Sequence, residues 1–420
     1  MVIGAGGREH ALLWKLAQSP AVGVLFCAPG NAGTRALAES IPVRATDIPA
    51  IVRAATEHRI DLVVVGPEDP LAAGLVDALT AAGIPAFGPT AAAARIESSK
   101  AFAKEVMAAA GVPTGRSVAV RDVAGGLTAL SSFPLPVVLK ADGLAAGKGV
   151  VICQRREEAV RFLTAMLDDR LLGDAGQTVL VEEFLTGPEI SILSLTDGRT
   201  IRSLSPARDH KRAFDGDAGP NTGGMGVYAP LPDIDAAMLA RIHDEVLVPT
   251  IREMTRRDTP FRGVLFTGLI LTAAGPKVLE YNARFGDPET QVVLPLLVSD
   301  LFPLLKGVAD GNLADIPEPV LREGAAVGVV LASGGYPGPY PTGLPISGLG
   351  DVPADVTVFH AGTRLDADGQ IVTAGGRVLT VVASGPDLAT ARDRAYSGAD
   401  RITFDRRHLR RDIALGAAHR

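Results

Sequence analysis

Residues 139–152 read LKADGLAAGKGVVI: an apolar run ending in Lys140, a glycine-rich turn with a second lysine, and another apolar run. A Walker phosphate loop has the form G-x-x-x-x-G-K-[ST] and leads from a strand into a helix. Here Gly143 and Gly147 stand one residue too close, and Gly149 follows Lys148 where a magnesium-binding hydroxyl is needed. The next residues continue as strand. The Walker reading fails, and what remains is a glycine hairpin whose amides can fold over a polyphosphate. Taken alone it could also be a β-turn with solvated lysines, so its neighbours decide.

Downstream, VEEFLTGPE (181–189) ends a strand with Glu182 and Glu183, followed by Phe184, Leu185 and Glu189. An adenine could lie against the two apolar side chains, with Glu189 on the ribose; an exposed acidic strand end is the plainer reading. LEYNARFGDPE (279–289) puts Glu280 and Asn282 two residues apart on a strand, hence on one face. Such hard oxygen ligands suit Mg²⁺ bridging phosphates. Arg284 shares that face and can clamp a carboxylate or phosphate bidentately.

Upstream, residues 1–90 alternate short V/I/L runs with helical stretches, which implies a parallel sheet covered on both faces. Ligands of such sheets sit beyond the strand C-termini, so the loops GAGGREH, APGNAG and GPED fall on one rim. GAGGREH follows a strand, but its sixth position is Glu9, not glycine. No acidic residue stands in a ribose-binding context some 20 residues on, so the dinucleotide fingerprint is incomplete. A helix N-terminus there can still hold a phosphate or carboxylate. VIG (2–4) reads as the end of a strand whose earlier residues precede the given start.

Helices are expected around 70–82, over 95–110 with Ser98 and Ser99 near its start, and over 234–257. The polar stretch 205–232 is too long to be an idle connection. Residues 318–420 read as a separate β-rich unit with a terminal helix.

The 420 residues are 47% hydrophobic and 21% charged, with a formal net charge of −6. This mild acidity argues against binding dominated by a nucleic-acid backbone. No apolar run reaches the ~18 residues needed to cross a bilayer. The two cysteines, Cys27 and Cys153, lie in strand-like runs and read as reduced core residues in a cytoplasmic setting.

The order of helix lysine, strand lysine with glycine turn, E-E-F-L and E-x-N-x-R resembles the ATP-grasp superfamily. GAGGREHAL, APGNAGT, VVGPEDPL, ESSKAFAK, ARDHKRAFDGDAGPNTGGMG, EYNARFGDPETQ and GGYPG together resemble the phosphoribosylamine–glycine ligase (glycinamide ribonucleotide synthetase) family, over about residues 1–415. The resemblance implies three parts: an N-terminal α/β substrate-binding domain (1–95), an ATP-grasp domain (96–310) with a lid subdomain near 115–190, and a C-terminal β-rich domain (318–420). It implies ligation of glycine to 5-phosphoribosylamine through glycyl phosphate, forming ADP and phosphate in purine synthesis. Another ATP-grasp carboxylate–amine ligase is the alternative, and a nucleotide-binding regulatory module without turnover is a more distant one.

Carried onto this chain, Lys100 and Lys140 contact ATP phosphates under a lid of Gly143, Gly147, Lys148 and Gly149. Glu182, Glu183, Phe184 and Leu185 form the adenine hinge, and Glu189 meets the ribose. Glu280 and Asn282 hold Mg²⁺ or Mn²⁺. Asp209, Lys211 and Arg284 are the catalytic side chains, the first two in a loop that seals the site together with Asn221–Gly226. Gly286 and Asp287 orient glycine; Gly6, Gly7, Arg8, Glu9, Gly30, Asn31 and Glu68 bind phosphoribosylamine. Many superfamily members carry another carboxylate about twelve residues before the metal-strand Glu; here that place falls near Gly268. The implied partners are these small molecules alone, with neither nucleic acid nor membrane, and the chain is expected to be a monofunctional monomer.

Overall fold

The computed structural model describes residues 1–143, 149–169, 171 and 173–418. Near the N-terminus five short parallel strands run in the order Glu39–Ser40, Phe26–Pro29, Val2–Gly4, Val63–Val65, Ala86–Phe87. Strand order reverses direction at Val2–Gly4, so the loops after Gly4 and Val65 leave from neighbouring strand ends. Val63–Val65 is buried throughout, as a strand covered on both faces must be.

Residues 117–183 form a second layer, an antiparallel sheet ordered Ser117–Val120, Val179–Glu183, Val137–Ala141, Val150–Cys153. The helices Val123–Ser131 and Arg156–Leu167 pack on it. This unit has a core of its own, including Leu130, Phe133, Leu139, Leu163 and Val181. The two strands flanking the opening motif are antiparallel neighbours, Lys140 facing Val150.

A third sheet, Ile201–Ser203, Glu189–Thr196, Gly263–Thr272, Gly275–Asn282, carries the metal-strand motif at its edge. Its ladder slips beside that motif: Gly268 faces Glu280 but Leu269 faces Val278, leaving Leu279 unpaired as a β-bulge. The bulge shifts the alternation, so Val278 and Tyr281 are buried while Leu279, Glu280 and Asn282 face outward.

The fourth sheet joins distant parts of the chain. Its order is Arg208–Asp209, Gly226–Ala229, Ala325–Ala332, Arg377–Gly385, Val356–His360. Two strands of the polar stretch 205–232 therefore complete the C-terminal sheet, which the reading of 318–420 as a separate unit did not foresee. The helix Leu388–Ala399 covers it through Ala391, Ala395 and Ala399.

Three expected helices are interrupted, each for a local reason. The one over 95–110 is two, Ala91–Ser98 and Lys100–Ala110, because Ser99 leaves helical geometry (φ −135°) and caps the second through Phe102 N at 3.1 Å. Around 70–82 the break falls at Gly74, in the left-handed region at φ +87°. In 234–257 a π-turn, His243–Leu247, separates Ala236–Ile242 from Val248–Arg256.

Candidate active site

The layers meet around a cavity of about 420 Å³, lined by charged groups from every layer. That volume lies in the range of small-molecule sites. Lys100 enters from the first turn of its helix, a position set by the Ser99 cap. Asp142, one residue past the strand Val137–Ala141 that carries Lys140, receives Ala101 N at 2.7 Å and the Ser99 hydroxyl at 3.1 Å. This fixes the helix lysine relative to the start of the glycine turn. Burial lowers the Lys100 ammonium's pKa, with Glu280 opposing and Lys140 adding to the shift. Among the described residues no carboxylate forms an ion pair with Lys100, so its charge is available to an anionic ligand.

Lys140 Nζ is 3.0 Å from Glu182 Oε2 and donates to the carbonyl of the bulged Leu279 at 3.2 Å. Glu182 Oε1 takes Lys104 Nζ at 2.8 Å, and Lys104 also reaches Thr114 Oγ1 and Gly115 O. Glu182 is 1% exposed, so its side chain orients two lysines. Its expected hinge partners lie just outside the lining: Glu183 holds Arg116 N at 3.0 Å, and Phe184 and Leu185 are half-buried in the following loop. The apolar wall comes instead from Ala103, Met107, Phe266 and Leu279.

Glu280 and Asn282 both line the cavity. No hydrogen bond to the Glu280 carboxylate is formed by the described residues. Burial opposes its ionisation, but Lys211, Lys140 and Lys100 outweigh that and hold its carboxyl below the usual range. A hard cation with phosphate and water oxygens in its remaining positions fits this donor pair. Among the described residues no cluster of three or more His, Cys, Asp or Glu could hold a metal without such help. Gly268, where the further carboxylate was sought, faces Glu280 across the ladder.

Arg284 is gripped from two sides: Nε lies 3.2 Å from Glu68 Oε2 and Nη2 lies 3.1 Å from Glu97 Oε1. Glu97 also accepts Ala283 N at 2.7 Å. Arg8 lies 3.8 Å from Glu68 and donates to Gly66 O at 2.8 Å, so a charge chain joins the N-terminal rim to the end of the strand Gly275–Asn282. Asp287 is held by Gln291 Nε2 at 2.8 Å and Arg377 at 3.4 Å. A Cβ on Gly6 would come within 3.4 Å of Asp287 Oδ2, and one on Gly7 within 2.5 Å of Gln291 Nε2. These two glycines allow rim and helix to approach.

Lys211 donates to Glu189 at 2.5 Å, so Glu189 faces the loop and not the lining. Burial raises the pKa of Asp209, with Lys211 opposing; burial and Asp209 push the Glu289 carboxyl up to about 7.

Of the remaining expected residues, Glu9 is 2% exposed and accepts Gly6 N at 2.5 Å, while its pKa is raised by burial. Asn31 gives both amide protons to Ala5 O and His360 O, and its oxygen receives Gly33 N and Thr34 N. Both side chains are engaged within the protein, as are the amides of Gly6, Gly30 and Asn31, which donate to Glu9, Gly4 O and Thr34 Oγ1; the rim's side chains that line the cavity are Arg8 and Glu68. Asn221 is exposed on a hairpin strand opposite Arg212. Gly30 lies in the loop with Asn31, and Gly286 accepts the Thr290 hydroxyl at 2.6 Å. Gly149 lines the cavity and Gly143 does not; Gly147 and Lys148 lie outside the described residues.

Sequence reasoning missed Lys104, Glu97, Glu289, Tyr336 and Arg377, all of which line the cavity. Lys104 had a signal, four residues after Lys100 on one helix face. Tyr336 stood inside the quoted GGYPG string without a role assigned to it, and Arg377 had no signal.

Comparison with known proteins matches three family profiles along the chain. These are phosphoribosylglycinamide synthetase N domain (residues 1–97), ATP-grasp (A) domain (98–290) and C domain (326–416). A phosphoribosylamine–glycine ligase of Streptomyces coelicolor is 52% identical over 422 residues, covering 100% of this chain and 99% of that protein. The trifunctional purine biosynthetic protein adenosine-3 of Gallus gallus is 50% identical over 99% of this chain but 42% of its own length. The crystal structure of the Thermotoga maritima phosphoribosylamine–glycine ligase superposes with a TM-score of 0.87 at 33% identity, covering 98% of this chain and 99% of that one.

Proposed function

This chain belongs to the phosphoribosylglycinamide synthetase family, and from that membership and the cavity's geometry we propose how its residues divide the work. Its activity is the ATP-dependent ligation of glycine to 5-phosphoribosylamine, a step of purine biosynthesis. A glycine carboxylate is a poor electrophile, so the reaction runs through glycyl phosphate: ATP gives its γ-phosphoryl group to the carboxylate, then the amine displaces phosphate. Charge neutralisation and in-line positioning dominate such a transfer.

In this reading Lys100 and Lys140 hold the ATP phosphates under the glycine turn at 143–149. Glu182 keeps Lys140 and Lys104 in place, and the segment 183–185 reads the base beside them. The family's divalent cation is proposed to be Mg²⁺ or Mn²⁺ on Glu280 and Asn282. When bound it neutralises phosphate charge. Arg284, fixed by Glu68 and Glu97, presents its guanidinium to glycine together with Gly286 and Asp287. Asp209 and Lys211 close the phosphate side, and the N-terminal rim takes phosphoribosylamine through Arg8 and Glu68 beside the helix start at Gly7. The division into units at 95/96 and after 310 belongs to the same proposal, as do a monomeric state and a cytoplasmic place of action.

The observation carrying this reading is that Lys100, Lys140, Glu280 and Arg284, from a helix and two separate sheets, line one cavity. Incubation with ATP, glycine and freshly generated phosphoribosylamine tests it. ADP should form only when glycine is present; glycine-independent or absent ADP formation refutes it.

A further inference from the structure

We infer that Arg410 is a positioning residue for this ligation, acting through the segment 209–224, which the C-terminal part of the chain clamps as a fixed wall. The inference rests on the function proposed above.

Arg410 does not line the cavity, and its side chain is 1% exposed. Its guanidinium forms a two-point fork to Asp412, both contacts at 2.8 Å. The remaining nitrogen donates to Asp217 Oδ1 at 2.8 Å and to the carbonyl of Arg212 at 3.0 Å. Neighbouring residues repeat the grip: Arg411 N donates to Asp215 at 2.7 Å, Gly216 N to Asp412 at 2.8 Å, and His408 Nε2 lies 2.7 Å from Ala213 O.

The other end of the segment is held as firmly. Gly223 N donates to Tyr336 Oη at 3.0 Å, and Gly223 O accepts Arg377 Nη1 at 2.5 Å. Both backbone polar groups of Gly223 are thus fixed by the C-terminal part. Between the clamps, the carbonyl of Lys211 accepts Thr222 N at 2.7 Å and the Thr222 hydroxyl at 2.9 Å. Asp209 is tied to the C-terminal sheet opposite Val227. Lys211 is one residue from the carbonyl that Arg410 holds, so loosening Arg410 frees the backbone bearing both Lys211 and Asp209.

A buried guanidinium is costly to desolvate unless its donors are satisfied in a fixed geometry. What this one secures is backbone position. With the wall in place the ribosylamine nitrogen bonds to the acyl carbon, the carbon–oxygen bond to phosphate breaks, and phosphate leaves with the electron pair and the amine proton. With the wall loose, water adds to the same carbon, returning glycine and inorganic phosphate, so ATP is consumed without ligation.

The test uses the full chain and measures ADP and ligated product separately, with melting temperature and the KM of each substrate. Wild type should give one ADP per product. Arg410→Ala should raise that ratio at least about twofold and lower the ligation kcat about 10–100-fold, as misplacement by an ångström does. The KM for phosphoribosylamine, bound at the opposite rim, should stay within about twofold. Lysine cannot reproduce the fork, so Arg410→Lys should also uncouple. Asp217 is 71% exposed, so Asp217→Asn keeps the fold and should shift the ratio in the same direction by less; it decides the matter if Arg410→Ala does not fold. A ratio of one in every folded variant, whatever its melting temperature, overturns the inference. No glycine-dependent ADP from wild type would instead overturn the proposed function itself.

Discussion

Glu182→Gln perturbs the most heavily used charge in the cavity. In the wild type this carboxylate, 1% exposed, lies 2.8 Å from Lys104 and 3.0 Å from Lys140. At an effective dielectric near 20, each contact is worth about 5–6 kcal/mol of attraction before desolvation is counted. Breaking such a buried arrangement by removing one partner typically costs about 3–5 kcal/mol, because uncompensated charge stays behind. At about 2–4 °C per kcal/mol for a unit of 150–250 residues, the melting temperature at pH 7 should fall by roughly 6–20 °C. The pH dependence then has a fixed sign. Burial already lowers the pKa of Lys104 against the pull of Glu182. Without that pull its folded-state pKa drops farther below the unfolded value of about 10.4. The unfolded state then binds more protons across that window, so stability rises with pH there. The deficit against wild type should therefore be largest near pH 7 and shrink toward about pH 9.5. Melting curves of both proteins at the two pH values check this. An unchanged melting temperature at pH 7, or a deficit that persists at high pH, would refute the view that Glu182 supports the buried Lys104 charge.

Glu280→Gln should reduce ligation at least about 1000-fold with the native fold retained, since its carboxylate supports no hydrogen bond among the described residues; wild-type turnover would remove it from the metal shell. Arg284→Lys keeps the charge but cannot span Glu68 and Glu97 together, so the KM for glycine should rise about tenfold or more. An unchanged KM would show that the two-sided grip is irrelevant to glycine. Burial pushes the Cys27 thiol up to about 12 and that of Cys153 up to about 11. Neither should react with a thiol reagent at pH 8 until the protein unfolds, because the thiolate fraction is about one in a thousand or less; fast labelling of either would contradict their burial.

The parts of the site legible in the sequence were those whose spacing reports geometry. Glu280 and Asn282 alternate on a strand, and the bulge at Leu279 precedes them without disturbing that relation. The parallel sheet followed from continuous apolar runs, and strand–turn–strand excluded a Walker loop at 139–152. Residues whose roles depend on long-range contact were illegible. Glu97 reads as one more helical carboxylate until Arg284, 187 positions later, turns to it. Glu182 reads from sequence as part of an adenine hinge, and that two lysines converge on it is visible only in the fold. Arg377 comes from a strand of the C-terminal sheet, and nothing local to GGRVL points to Asp287 or Gly223. Helix breaks at Gly74 and Ser99 were present as residue types, yet the apolar periodicity continued across them.

The strand Gly226–Ala229 pairs with Ala325–Ala332, almost a hundred residues later, with Val227 opposite Gly328. During synthesis the earlier strand leaves the ribosome well before its mate exists, since domains form in order of emergence at ~5–20 residues per second. For several seconds the nascent chain carries the Asp209–Lys211 loop on an unpaired edge, open to proteases and to pairing with another chain. A truncated product ending before residue 325 would keep Lys100 and Lys140 but lack the mate that anchors this loop. Joining the two thus ties the anchoring of the loop to the emergence of residues 325–332.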